Sequence, residues 1–271
     1  MRKYYRRTGL EQVYTLPSVA KQCHDIFCDW VSPDDTVIEP AGGRGAFLPY
    51  VDKAYDIDPK HPQIEKIDFL ELQPEKGCSY ITNPPFGRGL WLATKFFNHM
   101  ATHEANHIGF LISRAFRKWS VQDRLHLSYH LVKDVDLDGV LFEDGDGGGL
   151  ACCFQVWERR AVKRKKHMRL NNLEPYRVKH KANEDIKPKT THVFCSNGFS
   201  VGRLQTVEQH KRSTAVPTVY FYFDFSERAD LVELFKRLPY KKYTHNGQPH
   251  CKSISIKELE HLVKEFELIP T

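Results

Sequence analysis

The sequence predicts an α/β protein, with a mainly parallel sheet in its first half and a smaller basic α+β region after it. Three observations carry this. Short apolar runs bounded by turn residues recur between residues 36 and 113 and alternate with segments of helical periodicity. Two further runs, "LVKDVDLDGVLF" and "LACCFQVWER", flank the glycine-rich "EDGDGGG" and read as a closing antiparallel hairpin. The charge then changes sign: residues 1–150 hold 17 Lys+Arg against 21 Asp+Glu, a net −4, whereas residues 151–271 hold 23 against 13, a net +10. A basic half suits a polyanion, and phosphate backbones are the usual reason to gather such charge.

The elements follow in order. From Ser18, the apolar positions Val19, Cys23, Ile26, Phe27 and Trp30 recur at helical spacing, and Ser18 is the candidate cap. "TVIEP" (36–40) is a buried strand ending at Glu39, and "AGGRGAFLPYV" follows it, leading into a helix. "KAYDIDP" (53–59) is a second strand ending in acids, "EKIDFLEL" (65–72) a third strand and turn, and "CSYIT" (78–82) a fourth. "GLWLATKFFNHMATH" (89–103) has helical periodicity, "HIGFLIS" (107–113) is a fifth strand, and "KWSVQDRLHLSYH" (118–130) reads as a helix. After Trp157 the basic run "ERRAVKRKKHMR" opens a polar stretch, so we divide the chain into domains 1–160 and 161–271. In the second domain "THVFCS" and "TVYFYFDF" read as strands, "ERADLVELFKRL" as a helix, and "SISIKELEHLVKEFEL" as an amphipathic helix opened by a Ser255–Glu258 capping box. The alternating aromatics of "TVYFYFDF" suit core packing better than base stacking.

Composition narrows the function. The 271 residues are 41% hydrophobic and 27% charged, which supports a sizeable core. No run approaches a membrane span, and the basic start lacks the apolar stretch of a secretory signal. Seven scattered cysteines with no CxxC pair suit free thiols in a reducing compartment, hence a cytoplasmic protein, or a nuclear one in a eukaryotic host. Cys152-Cys153 reads as two buried strand residues. Neither HExxH nor a Cys-His spacing accompanies the 14 histidines, and "EDGDGGG" lacks the glutamate a calcium loop needs, so no metal is expected.

The residues at the strand ends carry the chemistry. Small residues in "EPAGGRGAF" let a ligand approach the backbone, and no Gly-Lys-Ser/Thr ending makes it a P-loop. Asp56 ends the second strand 17 residues after Glu39, where doubly wound folds place an acid against ribose hydroxyls. A turn before Pro59 would also explain Asp56 and Asp58, but register with the glycine loop favours Asp56. Asp68-Phe69, taken alone, reads as a turn acid and a core aromatic. Asn83-Pro84-Pro85-Phe86 falls at the end of the fourth strand, where open α/β sheets bind ligands. The Asn83 oxygen and the Pro84 carbonyl are two acceptors that suit one NH2 group, and Phe86 is placed to stack on a flat ring.

The ordered set "QVYTLPSVA", "EPAGGRGAF", "YDIDP", "DF" and "NPPF" resembles S-adenosylmethionine-dependent adenine-N6 methyltransferases of nucleic acid, especially the DNA enzymes with a C-terminal recognition region. The likeness covers residues ~10–160 by the motif-in-context test. It implies a Rossmann-like seven-stranded sheet and S-adenosylmethionine as cofactor. It implies cofactor contacts at Tyr14, Thr15, Glu39, Gly43, Gly45, Asp56, Asp68 and Phe69, and a catalytic role for Asn83, Pro84, Pro85 and Phe86 on a flipped or single-stranded base. Within the same resemblance the substrate can be RNA, ribosomal or cap adenosine, or cytosine N4. A catalytically silent nucleic-acid-binding subunit is the reading from another class. Residues 160–271 match no motif; there charge alone nominates Arg159, Arg160, Lys163, Arg164, Lys165, Lys166 and Arg169 as phosphate contacts, the alternatives being a solvated linker or, for "KRKK", a nuclear localisation signal.

Overall fold

The computed structural model describes residues 12–73, 75–143, 150–166, 176–179, 186, 188–198, 200–212, 219–240, 243–248 and 251–267. The chain divides into two compact units, one of Met1–Phe116 with Asp123–Lys166 and one of Arg117–Gln122 with His167–Thr271.

The first unit is built on a seven-stranded sheet. Its strands are β1 (Val37–Glu39), β2 (Lys53–Asp56), β3 (Glu65–Lys66), β4 (Ser79–Thr82), β5 (His107–Ser113), β6 (Tyr129–Leu137) and β7 (Cys152–Arg159). They lie in the order β3-β2-β1-β4-β5-β7-β6. The first five pair in parallel, while β7 runs antiparallel to both β5 and β6. This is a Rossmann-like α/β sheet with an antiparallel edge. Every residue of β4 is buried, as a central parallel strand covered on both faces requires. The chain steps outward from β1 to β2 and β3, then returns to lay β4 on the other side of β1. That reversal makes the carboxyl ends of β1 and β4 a topological switch point, the place where open α/β sheets leave a crevice.

Two helices serve the sheet. The first, α1 (Pro17–Cys28), starts with Pro17 in its first turn and Leu16 as the capping residue, with no side-chain cap. Ser18 is therefore inside the helix rather than capping it. Proline at the first position loses nothing, because its missing N–H would have had no helical partner. α1 packs close to β5: a Cβ at Gly109 would stand 2.8 Å from the Phe27 ring and 2.9 Å from that of Phe154. The second, α2 (Trp91–Thr102), buries Phe96, Phe97 and Met100. Phe97 is the hub of an aromatic cluster, meeting Phe110, Phe116, Tyr129 and Trp157 mostly edge to face. Burying each such ring contributes about 1.5–3 kcal/mol.

Two further expectations are corrected. No α-helix follows the glycine loop; the chain makes only a 3-10 turn at Leu48–Tyr50. Pro49 has no N–H to continue a helix, and the chain must already pair at Lys53 with Ile38 of β1. The third strand and turn are as expected: the strand stops at Lys66, and the Asp68 carboxylate accepts the Leu70 N–H at 3.0 Å and turns the chain there. The helix expected over 118–130 is reduced to α3 (Trp119–Gln122). Beyond it Tyr129 enters β6, with its hydroxyl donating to the Ala105 carbonyl at 2.6 Å and its backbone opposite Arg159. The glycine-rich loop 144–149 lies outside the described residues.

The second unit holds a four-stranded antiparallel sheet in the order β10-β9-β11-β8, made of β8 (Tyr176–Lys179), β9 (His192–Cys195), β10 (Leu204–Thr206) and β11 (Val219–Phe223). Alternation along β11 splits its aromatics. Phe221 and Phe223 join Phe194 in a core with α5 (Asp230–Arg237) and α6 (Ile256–Glu267), whereas Tyr220 and Tyr222 pack with Val193, Cys195 and Val207, which opens α4 (Val207–Arg212). These rings are buried, so the stripe is core. β12 (His245–Gln248) and β13 (Cys251–Ser253) form a separate two-stranded ladder.

Half of the expected capping box is made: the Glu258 carboxylate accepts the Ser255 N–H at 2.7 Å, while Ser255 Oγ is buried with no hydrogen-bond partner. The other Glu258 oxygen accepts the Trp119 N–H at 2.9 Å. Cys152 and Cys153 are buried on β7, and the cysteines Cys23, Cys28, Cys78, Cys152, Cys153 and Cys195 are free thiols. Among the described residues no helix is long and apolar enough to cross a membrane.

Candidate active site

A cavity of about 220 Å³ opens at the switch point. Its walls come from six stretches of the chain: residues 12–14, the turn after β1, the end of β2, residues 68–70 after β3, the end of β4, and the first turns of α2.

The turn after β1 is held by β2. Gly42 N–H donates to the Tyr55 carbonyl at 2.8 Å, and Gly43 N–H donates to Asp56 Oδ2 at 2.7 Å. Asp56 Oδ1 accepts the Asp58 N–H at 2.7 Å. Both carboxylate oxygens thus brace backbone, yet each keeps a further lone pair, and Asp56 lines the cavity. Gly43 also lines it, at φ +52°. Gly45 does not; its φ of +87° serves the turn itself, and a Cβ there would stand 2.5 Å from Leu48 Cδ1. Glu39 is 2% exposed and lies behind the lining, with Oε1 accepting the Ala41 N–H at 2.9 Å. Burial pushes its carboxyl up to about 8.

The segment before α1 crosses this region. Tyr14 lines the cavity, and the Arg44 guanidinium sits 4.2 Å from its ring centre. Arg44 is in turn ion-paired with Glu143. Thr15 is buried and bridges to Phe142, so it stands behind Tyr14 and outside the lining. Asp58 is engaged by Gln12 at 2.8 Å and Lys60 at 2.6 Å.

Asp68 and Phe69 both reach the cavity. One Asp68 oxygen holds the turn at Leu70, leaving the other as an acceptor. Phe69 is 2% exposed and packs against Tyr80, Phe96 and His99, so it is at once a core ring and part of a wall.

Asn83, Pro84, Pro85 and Phe86 leave β4 along the opposite wall. The Asn83 side-chain amide donates to the Val13 carbonyl at 2.9 Å. A carbonyl can only accept, so this bond identifies the nitrogen of the amide and leaves Oδ1 as a free acceptor. The Pro84 carbonyl also has no hydrogen-bond partner among the described residues. Phe86 is 6% exposed, and its carbonyl accepts the Ala93 N–H at 3.3 Å, tying the motif to the first turn of α2.

Val13, Leu92 and Phe96 belong to this site and were not expected. Leu92 and Phe96 are four residues apart on α2, a spacing that puts both on one helix face, so helical periodicity alone could have nominated them. Nothing in the sequence marks the Val13 carbonyl.

The basic run is not part of the cavity lining. Arg159 pairs with Glu104 at 3.3 Å, and Arg160 with Glu158 at 2.6 Å. Arg164 donates to the Tyr129 carbonyl at 2.5 Å and lies 5.5 Å from the Trp157 ring centre; burial holds its guanidinium below the usual arginine range. Lys163, Lys165 and Lys166 are exposed, and Arg169 lies outside the described residues. Among the described residues no group of three or more His, Cys, Asp or Glu side chains is placed to hold a metal ion.

No family model matches the sequence, and no curated protein matches it significantly. Similar solved structures include a provisionally named RNA methyltransferase from Pyrococcus horikoshii, at 13% identity over 56% of this chain and 88% of that one, with a TM-score of 0.42. Another is a modification subunit of a provisionally assigned type I restriction enzyme from Vibrio vulnificus, at 15% identity and a TM-score of 0.41; the match covers 58% of this chain and 47% of that one. A third, a provisionally named methyltransferase from Escherichia coli, has 12% identity over 54% of this chain and 88% of that one, with a TM-score of 0.35. The fold itself rests on the strand order described above.

Proposed function

We propose that this chain is an S-adenosylmethionine-dependent methyltransferase acting on the N6 amino group of adenine in nucleic acid, DNA before RNA. The observation that carries the reading is the orientation of Asn83. With its amide nitrogen committed to Val13, its oxygen and the Pro84 carbonyl form a pair of acceptors in a cavity that also holds Asp56, Asp68 and three phenylalanines.

The residues fit the cofactor. Asp56 has lone pairs left for ribose hydroxyls, Asp68 has one oxygen left for an adenine amino group, and Phe69 with Phe96 gives an apolar wall. Gly43 allows close approach to the backbone beside Tyr14. Burial raises the Glu39 carboxyl to about 8, and a cation bound nearby would favour its ionised form. Bound there, the cofactor supplies a methyl group activated by a sulfonium.

The chain's own residues would act on the amine. An exocyclic amine is a poor nucleophile because its lone pair is delocalised into the ring. Hydrogen bonds from its two protons to Asn83 Oδ1 and the Pro84 carbonyl favour a pyramidal nitrogen with a localised lone pair, and positioning supplies much of the rate. The nitrogen grows more acidic as it is methylated, so no strong base is required. Phe86 would stack on the target base, which must leave its helix or start single-stranded. Lys163, Lys165 and Lys166 would contribute phosphate contacts, whereas Arg159, Arg160 and Arg164 already serve the fold.

The test is incubation of the chain with methyl-labelled cofactor and separate DNA and RNA pools, followed by identification of the labelled nucleoside. N6-methyladenine in DNA is the expected product. Label confined to RNA would move the substrate, label on cytosine would move the target atom, and no label in either pool would overturn the reading.

A further inference from the structure

We propose that Trp91, with Lys95 over its ring and Arg88 and Arg124 on the loop that leads into it, seats the nucleotide next to the target base; the proposal rests on the nucleic-acid reading above.

The seat begins with an unusual backbone. Directly after Phe86, the left-handed region is occupied by Gly87 at φ +67°, Gly89 at +65° and Leu90 at +63°. Glycine takes that conformation freely, but a leucine pays about 1–2 kcal/mol for it. Burial of Leu90 helps offset that cost. The result is a sharp entry into α2 that lays the Trp91 indole against Gly87. A Cβ at Gly87 would stand 2.9 Å from the indole Nε1 and 2.7 Å from the Leu92 Cβ. The indole therefore adjoins the loop that carries Phe86, one helical position before the cavity residue Leu92.

Trp91 does not pack into the core. It is 45% exposed, whereas Trp157 is 1% exposed. Lys95, one turn along α2, places Nζ 4.5 Å from the indole centre. Arg124 donates to the Gly89 carbonyl at 3.0 Å, bracing the strained loop from the other side. Arg88 is exposed and makes no side-chain hydrogen bond among the described residues.

Among the described residues none of Arg88, Lys95 and Arg124 has a carboxylate partner, although other surface cations do, such as Lys21 with Asp25 and Lys53 with Glu75. An exposed indole beside a base pocket, with three cations on its loop and helix that have no carboxylate partner, is the chemistry of single-stranded nucleic-acid binding: a stacking plane for a base and cations for its phosphates. An adenine held at Asn83 and Phe86 has a neighbour one nucleotide away, and the Trp91 rim is the adjoining surface suited to it. This gives Arg88 a role that its sequence context alone does not.

The experiment titrates short adenine-containing single-stranded DNA and RNA oligonucleotides against the whole chain by fluorescence anisotropy. Wild type is compared with Trp91→Ala, Trp91→Phe and the double variant Arg88→Gln/Lys95→Gln. Trp91→Ala is expected to raise the oligonucleotide Kd about tenfold, and Trp91→Phe, which keeps an aromatic plane, to recover most of it. The double variant is expected to lower the slope of log Kd against log salt by roughly 1.4, the value for two phosphates on a single strand. Cofactor binding, measured alongside, reports folding; if Trp91→Ala loses it, the phenylalanine and glutamine variants decide. Unchanged oligonucleotide affinity and salt slope in variants that still bind cofactor would overturn the rim while leaving the methyltransferase reading intact. Failure of the wild type to bind or methylate any oligonucleotide would overturn both.

Discussion

The side-chain amide of Asn83 donates to the backbone carbonyl of Val13 at 2.9 Å, across 70 residues of chain. That bond turns an ambiguous amide into a directed one. It also makes the segment before α1 part of the site, because among the described residues Val13 is the partner that fixes which way the Asn83 oxygen faces.

Asn83→Ala is therefore expected to lower kcat/KM for methyl transfer by about a hundredfold or more, the usual cost of removing one preorganised hydrogen-bonding group, while cofactor affinity stays near wild type. Asn83→Asp keeps an acceptor but sets a carboxylate oxygen against the Val13 carbonyl, so it should also fail. Single-turnover rates and cofactor titrations check both, and substantial methylation by either variant would remove Asn83 from its assigned role.

Glu39 makes stability depend on pH. Burial raises its carboxyl from an ordinary 4.5 to about 8, so between those values the folded chain holds a proton that the unfolded chain has released. Stability from this residue is fully present below the unfolded value and is lost as pH rises through about 8. Glu39→Gln, which keeps an acceptor for the Ala41 N–H, should flatten that decline. Urea midpoints compared at a series of pH values from about 5 to about 9 measure it, and equal slopes in the two proteins would show that Glu39 does not titrate this way.

The two glycines of the loop should separate. Gly43→Ala forces a side chain at φ +52° and places its Cβ 3.1 Å from the Tyr14 ring, so it should lose about 1–2 kcal/mol of stability and weaken cofactor binding as well. Gly45→Ala collides with Leu48 outside the cavity, so its cost should appear in the unfolding midpoint with a much smaller effect on cofactor affinity. Matching losses of affinity in the two variants would contradict the division.

In the second unit, the buried Glu258 carboxylate accepts backbone N–H groups from both Ser255 and Trp119. Glu258→Ala should destabilise that unit by about 2 kcal/mol, since it strands partly buried donors. Glu258→Gln, with one acceptor oxygen, should cost less. Denaturant unfolding of the full chain distinguishes them, and an unperturbed alanine variant would mean that water replaces the carboxylate at no cost.

Much of the fold was legible because burial leaves a pattern. β1, β2, β4, β5 and β7 appear as short apolar runs, since a strand inside a covered sheet has little face to show to water, while the edge strand β6 shows in its alternation of apolar and charged residues. The segment 118–130 was misread for the opposite reason. Its periodicity suits a helix, but the Tyr129 hydroxyl finds the Ala105 carbonyl and its backbone finds β7, and those partners lie outside any local window. The glycine loop likewise lost its expected helix to the demand that Lys53 pair with Ile38.

For the site, the sequence by itself determined the chemistry: a glycine turn, acids at the ends of strands, and two rigid prolines between an amide and a ring. These are fixed by residue type and by position relative to strands. Only the tertiary structure decided which of them share a cavity. It brought Tyr14, Gly43, Asp56, Asp68 and Asn83 through Phe86 together, left Thr15, Glu39 and Gly45 as support behind them, and gave Arg159, Arg160 and Arg164 partners within the protein. It also supplied Val13, Leu92 and Phe96. The physical reason is that a strand order and a hydrogen bond spanning 70 residues are properties of the packed chain, where each group takes the partner that the fold brings within reach.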